Sequence, residues 1–251
     1  MRIIAVANQK GGVGKTTTAI NLSAALAGLN RRVLLIDIDP QGNATSGVGC
    51  RGEDGKSSYD VLVDSARVWD LVQNTEYGTL DVLPSSLELA GAEIELVDRD
   101  RREFMLKDAL EPMREVYDDI LIDCPPSLSL LTLNGLVAAD TLLVPIQCEY
   151  YALEGLGQLM NTMKLMKRKL NPSLELEGIL LTMFDGRTNL CNQVAQEVHK
   201  HFPGKVFETV IPRNVRLSEA PSFCMPVQFY DKSCAGAKAY NELAKEILHG
   251  K

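Results

Sequence analysis

Short apolar runs alternate along the chain with segments in which apolar residues recur every three or four positions. Residues 3–7 are apolar at every position, which is typical of a strand buried on both faces. Residues 16–29 place Leu22, Leu26 and Leu29 on one side of a helix. By the same criteria, further strands are predicted at 33–38, 81–84, 119–123, 141–145, 178–182 and 206–211. Further helices are predicted at 87–98, 101–116, 129–138, 152–170, 190–202 and 235–248.

This alternation predicts an α/β fold: a doubly wound, mostly parallel sheet with helices on both faces. Right-handed crossovers then bring the carboxyl ends of the strands to one edge, where ligands bind in such sheets. The stretch 42–58 is rich in Gly, Ser and Asn and is predicted to be a loop. No segment has the composition of a linker, so residues 1–251 are expected to form one domain.

The composition is that of a globular protein and excludes several classes. Of 251 residues, 45% are hydrophobic and 24% are charged, and the formal net charge is −7. Such a chain has no uniformly basic surface with which to coat nucleic acid, and its apolar content excludes extended disorder. No window reaches the ~18 apolar residues of a membrane span, and the first apolar run is too short for a signal peptide. Six cysteines without a C-x-x-C pair indicate reduced thiols, so a cytoplasmic protein is expected.

A glycine-rich sequence, Lys-Gly-Gly-Val-Gly-Lys-Thr-Thr, follows the first predicted strand at residues 10–17. It departs from the usual phosphate-loop pattern because Gln9 occupies the first glycine position. The physical requirements are still met, since the glycines let backbone N–H groups turn toward phosphate oxygens at the start of a helix. Lys15 can reach the β- and γ-phosphates, and the Thr16 hydroxyl can bind Mg²⁺. The predicted nucleotide-binding residues of the loop are Lys10, Gly11, Gly12, Val13, Gly14, Lys15, Thr16 and Thr17.

Three aspartates stand where predicted strands end. Asp123 closes an apolar strand and is expected to hold Mg²⁺ through a water molecule. Asp37 and Asp39 share one face of the preceding strand because side chains alternate. Asp39, at the loop edge, is expected to position the attacking water and to contact the metal through water. Asp37 has two open interpretations: it hydrogen-bonds the phosphate loop or Thr16, or it caps the strand end.

Together these pieces resemble the ParA/Soj-type chromosome-partitioning ATPases, a branch of the deviant Walker A (ParA/MinD) superfamily. The resemblance covers nearly the whole chain. The stretches that carry it are 8–17, 37–46, 89–96, 122–127, 147–155 and Ile-Pro-Arg-Asn-Val-Arg-Leu-Ser-Glu-Ala-Pro at 211–221. The last two are the most specific to the partitioning branch.

The resemblance implies an ATPase that uses ATP and Mg²⁺ and forms a homodimer when ATP is bound. In that family the lysine matched by Lys10 crosses to the partner's phosphates, so Lys10, Lys15 and Asp39 are the expected catalytic residues. Pro212 and Asn214 match positions beside the adenine, and Met183 and Phe184, which end the strand before Asp185, are expected to line the same pocket. A ParB-type centromere-binding protein is expected to stimulate hydrolysis. Because the loop lies so close to residue 1, no operator-binding domain and no autorepression are expected.

DNA binding is the other implied property, and the charge distribution allows it. Residues 1–159 carry a net charge of −11, whereas 160–240 carry +4. Arg187 and Arg216 match positions that contact DNA phosphates in Soj-type relatives, so nonspecific, salt-sensitive binding to double-stranded DNA on the nucleoid is expected. The basic cluster at 164–169 is either part of this surface or a solvated helix end.

Three rival classes share parts of this pattern. A MinD-like membrane-cycling ATPase, the main alternative, needs a lipid-binding C-terminal helix, but 235–248 has the pattern of a helix packed on the core, so no membrane partner is expected. An iron–sulfur ATPase needs cysteine ligands, and only Cys124 stands near the expected site. An ATP-dependent metabolic ligase needs its own acid–base groups, whereas the three histidines are expected at the surface.

Overall fold

Strands and helices alternate along the chain as the sequence predicts. The computed structural model describes residues 1–53, 56–149 and 152–249. Within these residues the strands are β1 (Arg2–Val6), β2 (Val33–Asp37), β3 (Gln73–Asn74), β4 (Leu80–Leu83), β5 (Asp119–Asp123), β6 (Thr141–Gln147) and β7 (Glu175–Thr182). The α-helices are α1 (Lys15–Ala27), α2 (Asn43–Gly47), α3 (Ser58–Leu62), α4 (Val68–Leu71), α5 (Leu89–Glu95), α6 (Met105–Leu110), α7 (Leu130–Ala138), α8 (Ala152–Lys169), α9 (Asn189–His201), α10 (Val215–Glu219), α11 (Val227–Tyr230) and α12 (Ala235–His249). Two 3₁₀ helices cover Glu111–Glu115 and Ala220–Phe223.

The strands of the described chain form one sheet in the order β3-β4-β2-β5-β1-β6-β7. Neighbouring strands are parallel except for the short edge pair of β3 and β4. β5 lies between β1 and β2, and it pairs Asp123 with Val6 on one side and with Asp37 on the other. The prediction of a doubly wound, mostly parallel sheet is confirmed. Its central carboxyl ends carry the glycine-rich loop and the aspartates, which is where such sheets bind ligands.

Helices bury both faces of the sheet. β2 and β5 are buried at every position, which explains why their sequences are apolar without alternation. On one face α12 packs on α1 and buries Tyr240, Leu243 and Ile247 between the helices and the sheet. The other face is covered mainly by α6, α7, α8 and α9. The site is therefore built on a rigid frame whose central strands are inaccessible to water.

Residues 206–211 do not form the predicted strand. The segment runs beside β7 with one isolated bridge to it, between Ile179 and Val206, and a second bridge joins Phe184 and Pro212 just beyond both. The ladder is interrupted because the N–H groups of Glu208 and Thr209 donate instead to the carboxylate of Glu246 on α12, at 2.7 and 3.0 Å. A carboxylate that accepts two neighbouring N–H groups turns them away from the strand direction.

Two other expectations are corrected in detail. The predicted loop at 42–58 contains α2 and ends at the first residue of α3, and Asp54 and Gly55 lie outside the described residues. The predicted helix at 101–116 is shorter and changes type: Arg101 has a left-handed φ of 55°, α6 begins only at Met105, and a 3₁₀ helix follows. Pro112 lies in the first turn of that 3₁₀ helix, where its missing N–H interrupts the α-helical ladder.

Candidate active site

The phosphate loop lies between β1 and α1, at the centre of the sheet edge. Gly12 and Gly14 have φ values of 73° and 85°, a conformation that side-chain-bearing residues rarely adopt. Gly14 is the N-cap of α1 and offers no side chain to its first N–H groups, which leaves them for a ligand. Lys15 is only 7% exposed, and its Nζ donates to the backbone oxygen of Lys10 at 3.2 Å. The loop is thus already curled around its own lysine.

Two buried side chains fix the loop to β6. The amide of Asn8 donates to the backbone oxygen of Pro145 at 2.8 Å, and its oxygen accepts the N–H of Lys10 at 3.1 Å. On the other side, Thr182 Oγ1 lies 2.8 Å from the backbone oxygen of Val13 and 3.0 Å from that of Ile146. Asn8 thus ties the start of the loop to β6, and Thr182, the last residue of β7, lies between Val13 in the loop and Ile146 in β6.

Asp123 is fully buried, and within the described residues neither of its carboxylate oxygens has a hydrogen-bond partner. Burial raises its pKa well above the usual value, and repulsion from Asp37 adds to the rise. The Thr16 hydroxyl and the Lys15 ammonium lie close enough to lower the pKa of Asp123 and so oppose this rise, although neither makes a hydrogen bond of ordinary geometry with it. A buried carboxylate without partners is costly, and a metal ion with its water shell would satisfy it. Thr16 and Asp123 therefore fit the predicted Mg²⁺ site.

Asp37 does not hydrogen-bond the phosphate loop or Thr16, so that interpretation is wrong. Its Oδ2 accepts both the N–H and the hydroxyl of Thr45 at 2.8 Å, and its Oδ1 accepts the N–H of Asp39 at 3.1 Å. Burial raises its pKa to about 6 in spite of these bonds. Asp37 thus anchors α2 to the end of β2, which is the strand-end role that the sequence left open.

Asp39 lies just beyond β2 and is 9% exposed. Its Oδ1 accepts the N–H of Gln41 at 3.0 Å, and its backbone oxygen accepts the Ser85 hydroxyl at 2.7 Å. Burial lowers the pKa of Lys15, whereas the carboxylates of Asp123 and Asp39 oppose that shift. Lys15, Asp39 and Asp123 therefore lie close enough at the mouth of the loop to influence one another's charge.

Lys10 is exposed and is held within its own chain. Its Nζ lies 2.6 Å from the Glu149 carboxylate, at the end of β6. The side chains are 41% and 46% exposed, so water weakens this pair. Glu149 belongs to the stretch 147–155 quoted above, in which Tyr150 and Tyr151 lie outside the described residues.

A cavity of about 240 Å³ opens beside Gly14 and Thr17. Met183, Pro212 and Asn214 all line it, so the predicted adenine-contacting residues are brought together next to the phosphate loop. Met183 has a left-handed φ of 49°, which is unusual for a residue other than glycine. Phe184 is not among the lining residues and packs against the apolar layer on the other face. A larger cavity of about 360 Å³, between α4 and α6, is mainly apolar and holds none of the predicted site residues.

Both predicted DNA-contacting arginines are exposed and paired with carboxylates. The Arg187 guanidinium makes two hydrogen bonds to Asp185, at 2.8 and 2.7 Å, and it lowers the pKa of that carboxyl to about 2. Arg216 lies 2.7 Å from Glu219 and 3.5 Å from Asp231. In the basic cluster at the end of α8, Lys167 pairs with Glu175.

The residues that the three rival classes would need are either buried in the core or exposed at helix ends. Cys124 is buried against α7, where a side chain at Gly135 would meet its sulfur, and the described residues contain no group of three or more metal-ligating side chains. The histidines 199, 201 and 249 are exposed at helix ends. The apolar face of α12 is buried on α1, as predicted. No described helix is long and apolar enough to cross a membrane.

Sequence reasoning missed several residues that shape the site: Asn8, Thr45, Ser85, Glu149 and Thr182. Asn8, Thr45 and Glu149 stand inside quoted motifs, which was the available signal. Ser85 and Thr182 are ordinary strand-end hydroxyl residues, and nothing in the pattern distinguishes them. They act through backbone carbonyl groups that only the folded chain brings near.

Comparisons with known proteins agree with this geometry. A family model described as an AAA domain matches residues 1–176. The chain is 58% identical over 247 residues to the sporulation initiation inhibitor protein Soj of Bacillus subtilis, a match that covers 98% of each chain. It is 55% identical to the chromosome partitioning protein ParA of Myxococcus xanthus, covering 98% of this chain and 88% of that one. A solved structure of cobyrinic acid a,c-diamide synthase from Mycobacterium smegmatis, with bound ATP analog and magnesium, is 39% identical with a TM-score of 0.86, covering 99% and 95%.

Proposed function

The chain belongs to the family of the Soj and ParA chromosome-partitioning ATPases, and on that premise we propose that it is itself a Mg²⁺-dependent ATPase acting in chromosome or plasmid partitioning. In this proposal residues 1–251 form one ATPase domain. The observation that carries it is Asp123: among residues 1–53, 56–149 and 152–249 its two buried oxygens have no hydrogen-bond partner, and they lie beside Thr16 and Lys15 at the mouth of the phosphate loop. That arrangement fits a nucleotide-bound Mg²⁺ and has no evident structural use without one.

The residues of the chain bind and orient the nucleotide. The open N–H groups at the start of α1 bind phosphate oxygens, and Lys15 exchanges its bond to the Lys10 carbonyl for one to phosphate. Met183, Pro212 and Asn214 hold the adenine. Thr16 would hold Mg²⁺ directly, and Asp123 and Asp39 would hold it through water. When bound, the metal neutralises developing phosphate charge.

Hydrolysis requires a positioned water, and Asp39 is the residue proposed to orient it. The Ser85 hydroxyl donates to the backbone oxygen of Asp39, and the Gln41 N–H donates to Oδ1 of its carboxylate. Its carboxylate is therefore fixed at the loop edge, where a water near the terminal phosphate can be oriented.

Dimerisation and DNA binding complete the proposed cycle. Lys10 leaves Glu149 and reaches the partner's phosphates, adding a cation where negative charge develops. Arg187 and Arg216 exchange carboxylates for DNA phosphates, and a dimer presents both arginines twice. Binding of this kind is independent of sequence, decreases with salt and would place the protein on the nucleoid. A ParB-type partner then stimulates hydrolysis and releases the DNA.

The test is an ATPase assay with and without DNA and a peptide from a ParB-type protein, beside measurements of mass and DNA retention. Asp39→Ala is expected to dimerise on ATP while turnover falls by a factor of about 100 or more. Arg216→Glu is expected to keep basal ATPase activity and lose ATP-dependent DNA retention. A parent protein that hydrolyses ATP and ignores DNA at low salt would contradict the proposed role.

A further inference from the structure

Helix α10 stands between the nucleotide cavity and the surface that carries Arg216. Leu217 and Ser218 on this helix line the cavity, together with Asn214 just before it. The helix has five residues and none of them is buried. So short a helix is unstable by itself, and its conformation depends on whatever contacts its two sides.

Asn214 takes part both in the wall of the cavity and in a hydrogen bond to the backbone of Arg216. It lines the cavity, and its Oδ1 accepts the backbone N–H of Arg216 at 3.0 Å as the N-cap of α10. The amide oxygen is thereby used within the chain, and the NH₂ group remains as a donor for a ligand. One side chain therefore connects the cavity wall to the backbone of the arginine.

Two contacts define the rest of the helix. Leu217 packs tightly on α12, since a Cβ at Gly236 would lie 2.7 Å from the Leu217 Cγ atom. On the outer side, Glu219 accepts from Arg216 at 2.7 Å and from the Tyr230 hydroxyl at 3.1 Å. The inner side of α10 faces the cavity, so a ligand that fills the cavity adds the contact that α10 otherwise lacks.

We infer that α10 transmits nucleotide occupancy to Arg216 within a single protomer: a base in the cavity orders the Asn214 cap and α10, and so fixes the arginine that meets DNA. The inference rests on the proposed function, because it takes Arg216 as a DNA contact. Asn214 acts on DNA only through Arg216 and is a positioning residue in that step. By linkage, DNA bound at Arg216 tightens nucleotide binding by the same factor.

Two substitutions at one position isolate the cap. Asn214→Ser and Asn214→Ala both remove the amide that can contact a base, but only serine keeps an N-cap oxygen. At saturating Mg-ATP, Asn214→Ala is expected to weaken DNA affinity about fivefold, and Asn214→Ser is expected to stay within about twofold of the parent. Any difference between the two variants then arises from the cap and not from the lost base contact.

Hydrogen exchange gives a readout that does not depend on DNA. Mg-ADP is expected to slow amide exchange in 215–219 in the parent and in Asn214→Ser, and to slow it much less in Asn214→Ala. If nucleotide leaves exchange in this segment unchanged in the parent, or if both variants bind DNA equally well, the inference is overturned. If the parent protects the segment and binds no DNA under any condition, the proposed function fails, and the DNA step of the inference with it.

Discussion

Asp37 and Asp123 lie side by side in register at the ends of β2 and β5, and within the described residues only Asp37 has hydrogen-bond partners for its carboxylate. The two residues have the same chemistry and the same burial. This difference in partners distinguishes the structural carboxylate of Asp37 from that of Asp123, which we propose holds Mg²⁺ through water; strand position alone did not show it.

Substitution by asparagine is expected to affect the two aspartates in opposite ways. Asp123→Asn removes a buried, unpartnered carboxylate, so the nucleotide-free protein is expected to be as stable as the parent or more stable, while Mg²⁺-dependent turnover falls roughly 10–100-fold. Asp37→Asn puts an NH₂ group against either the Thr45 donors or the Asp39 N–H, whichever way the amide is turned, and is expected to cost about 1–3 kcal/mol of unfolding free energy. Urea unfolding and ATPase rates check both. A destabilised Asp123→Asn protein would contradict the assignment.

Thr182 is expected to matter for nucleotide affinity although it lies behind the phosphate loop. Thr182→Val keeps the shape but leaves the Val13 and Ile146 carbonyl groups without the shared hydroxyl, so the loop loses a fixed point. We expect the Kd for Mg-ATP to rise about fivefold, the equivalent of one ordinary hydrogen bond. Thr182→Ser, which retains the hydroxyl, is the matched control and should bind within about twofold of the parent. Calorimetry distinguishes the two, and an unchanged Kd for Thr182→Val would refute the role.

Asp119 is expected to determine stability and not nucleotide binding. It begins β5 at the edge opposite the phosphate loop, is fully buried, and pairs with Arg2 at 3.1 Å and Arg31 at 2.7 Å. Asp119→Asn removes the carboxylate partner of Arg31 and leaves Arg2 only its longer contact with Glu177, at 3.5 Å, so it is expected to cost about 3 kcal/mol of unfolding free energy. Asp118→Asn, which breaks the more exposed pair with Arg32, should cost much less. The ATP affinity of folded Asp119→Asn protein should match that of the parent, and a large loss would show that the two edges are coupled.

Glu219 is expected to restrain DNA binding because it competes with phosphate for Arg216. Glu219→Gln removes that competition and should strengthen ATP-dependent DNA binding about two- to fivefold at low salt. Glu242→Gln makes the same change in net charge on α12, where the partner is Lys245 at 2.7 Å, and serves as the control. Equal gains in the two variants would mean that only net charge matters.

The sequence was sufficient for the mostly parallel sheet, for the phosphate loop and for the aspartates at the carboxyl ends of β2 and β5. Strands such as 119–123 are continuously apolar because both faces are buried, and this signal does not depend on distant contacts. The glycine loop is equally local, since it needs only a strand before it and a helix after it. The cavity residues Pro212 and Asn214 came from family resemblance, because no local pattern predicts that separate segments meet, and Met183 was added from its place at the end of a predicted strand.

What the sequence could not give depends on contacts between distant segments. The strand predicted at 206–211 does not form because its N–H groups donate to Glu246, almost 40 positions later. The unpredicted helix α2 is anchored by the hydrogen bond from Thr45 to Asp37. Pairing of Arg187 and Arg216 with carboxylates also escaped prediction, although Asp185 and Glu219 are only two and three residues away. Sequence proximity did not show that these side chains turn toward each other.

The irregular course of 206–211 has a consequence for how two molecules meet. This segment runs along one border of the sheet, and the opposite border is β3, a strand of two residues. Neither margin offers a second molecule a long row of backbone donors and acceptors to continue, so the sheet is poorly suited to growing by strand addition. In the proposed ATP-bound dimer, the contacts between subunits are therefore made by side chains and by the nucleotide. Contacts of that kind can be dissolved when a phosphate leaves, whereas a shared sheet would have to unfold.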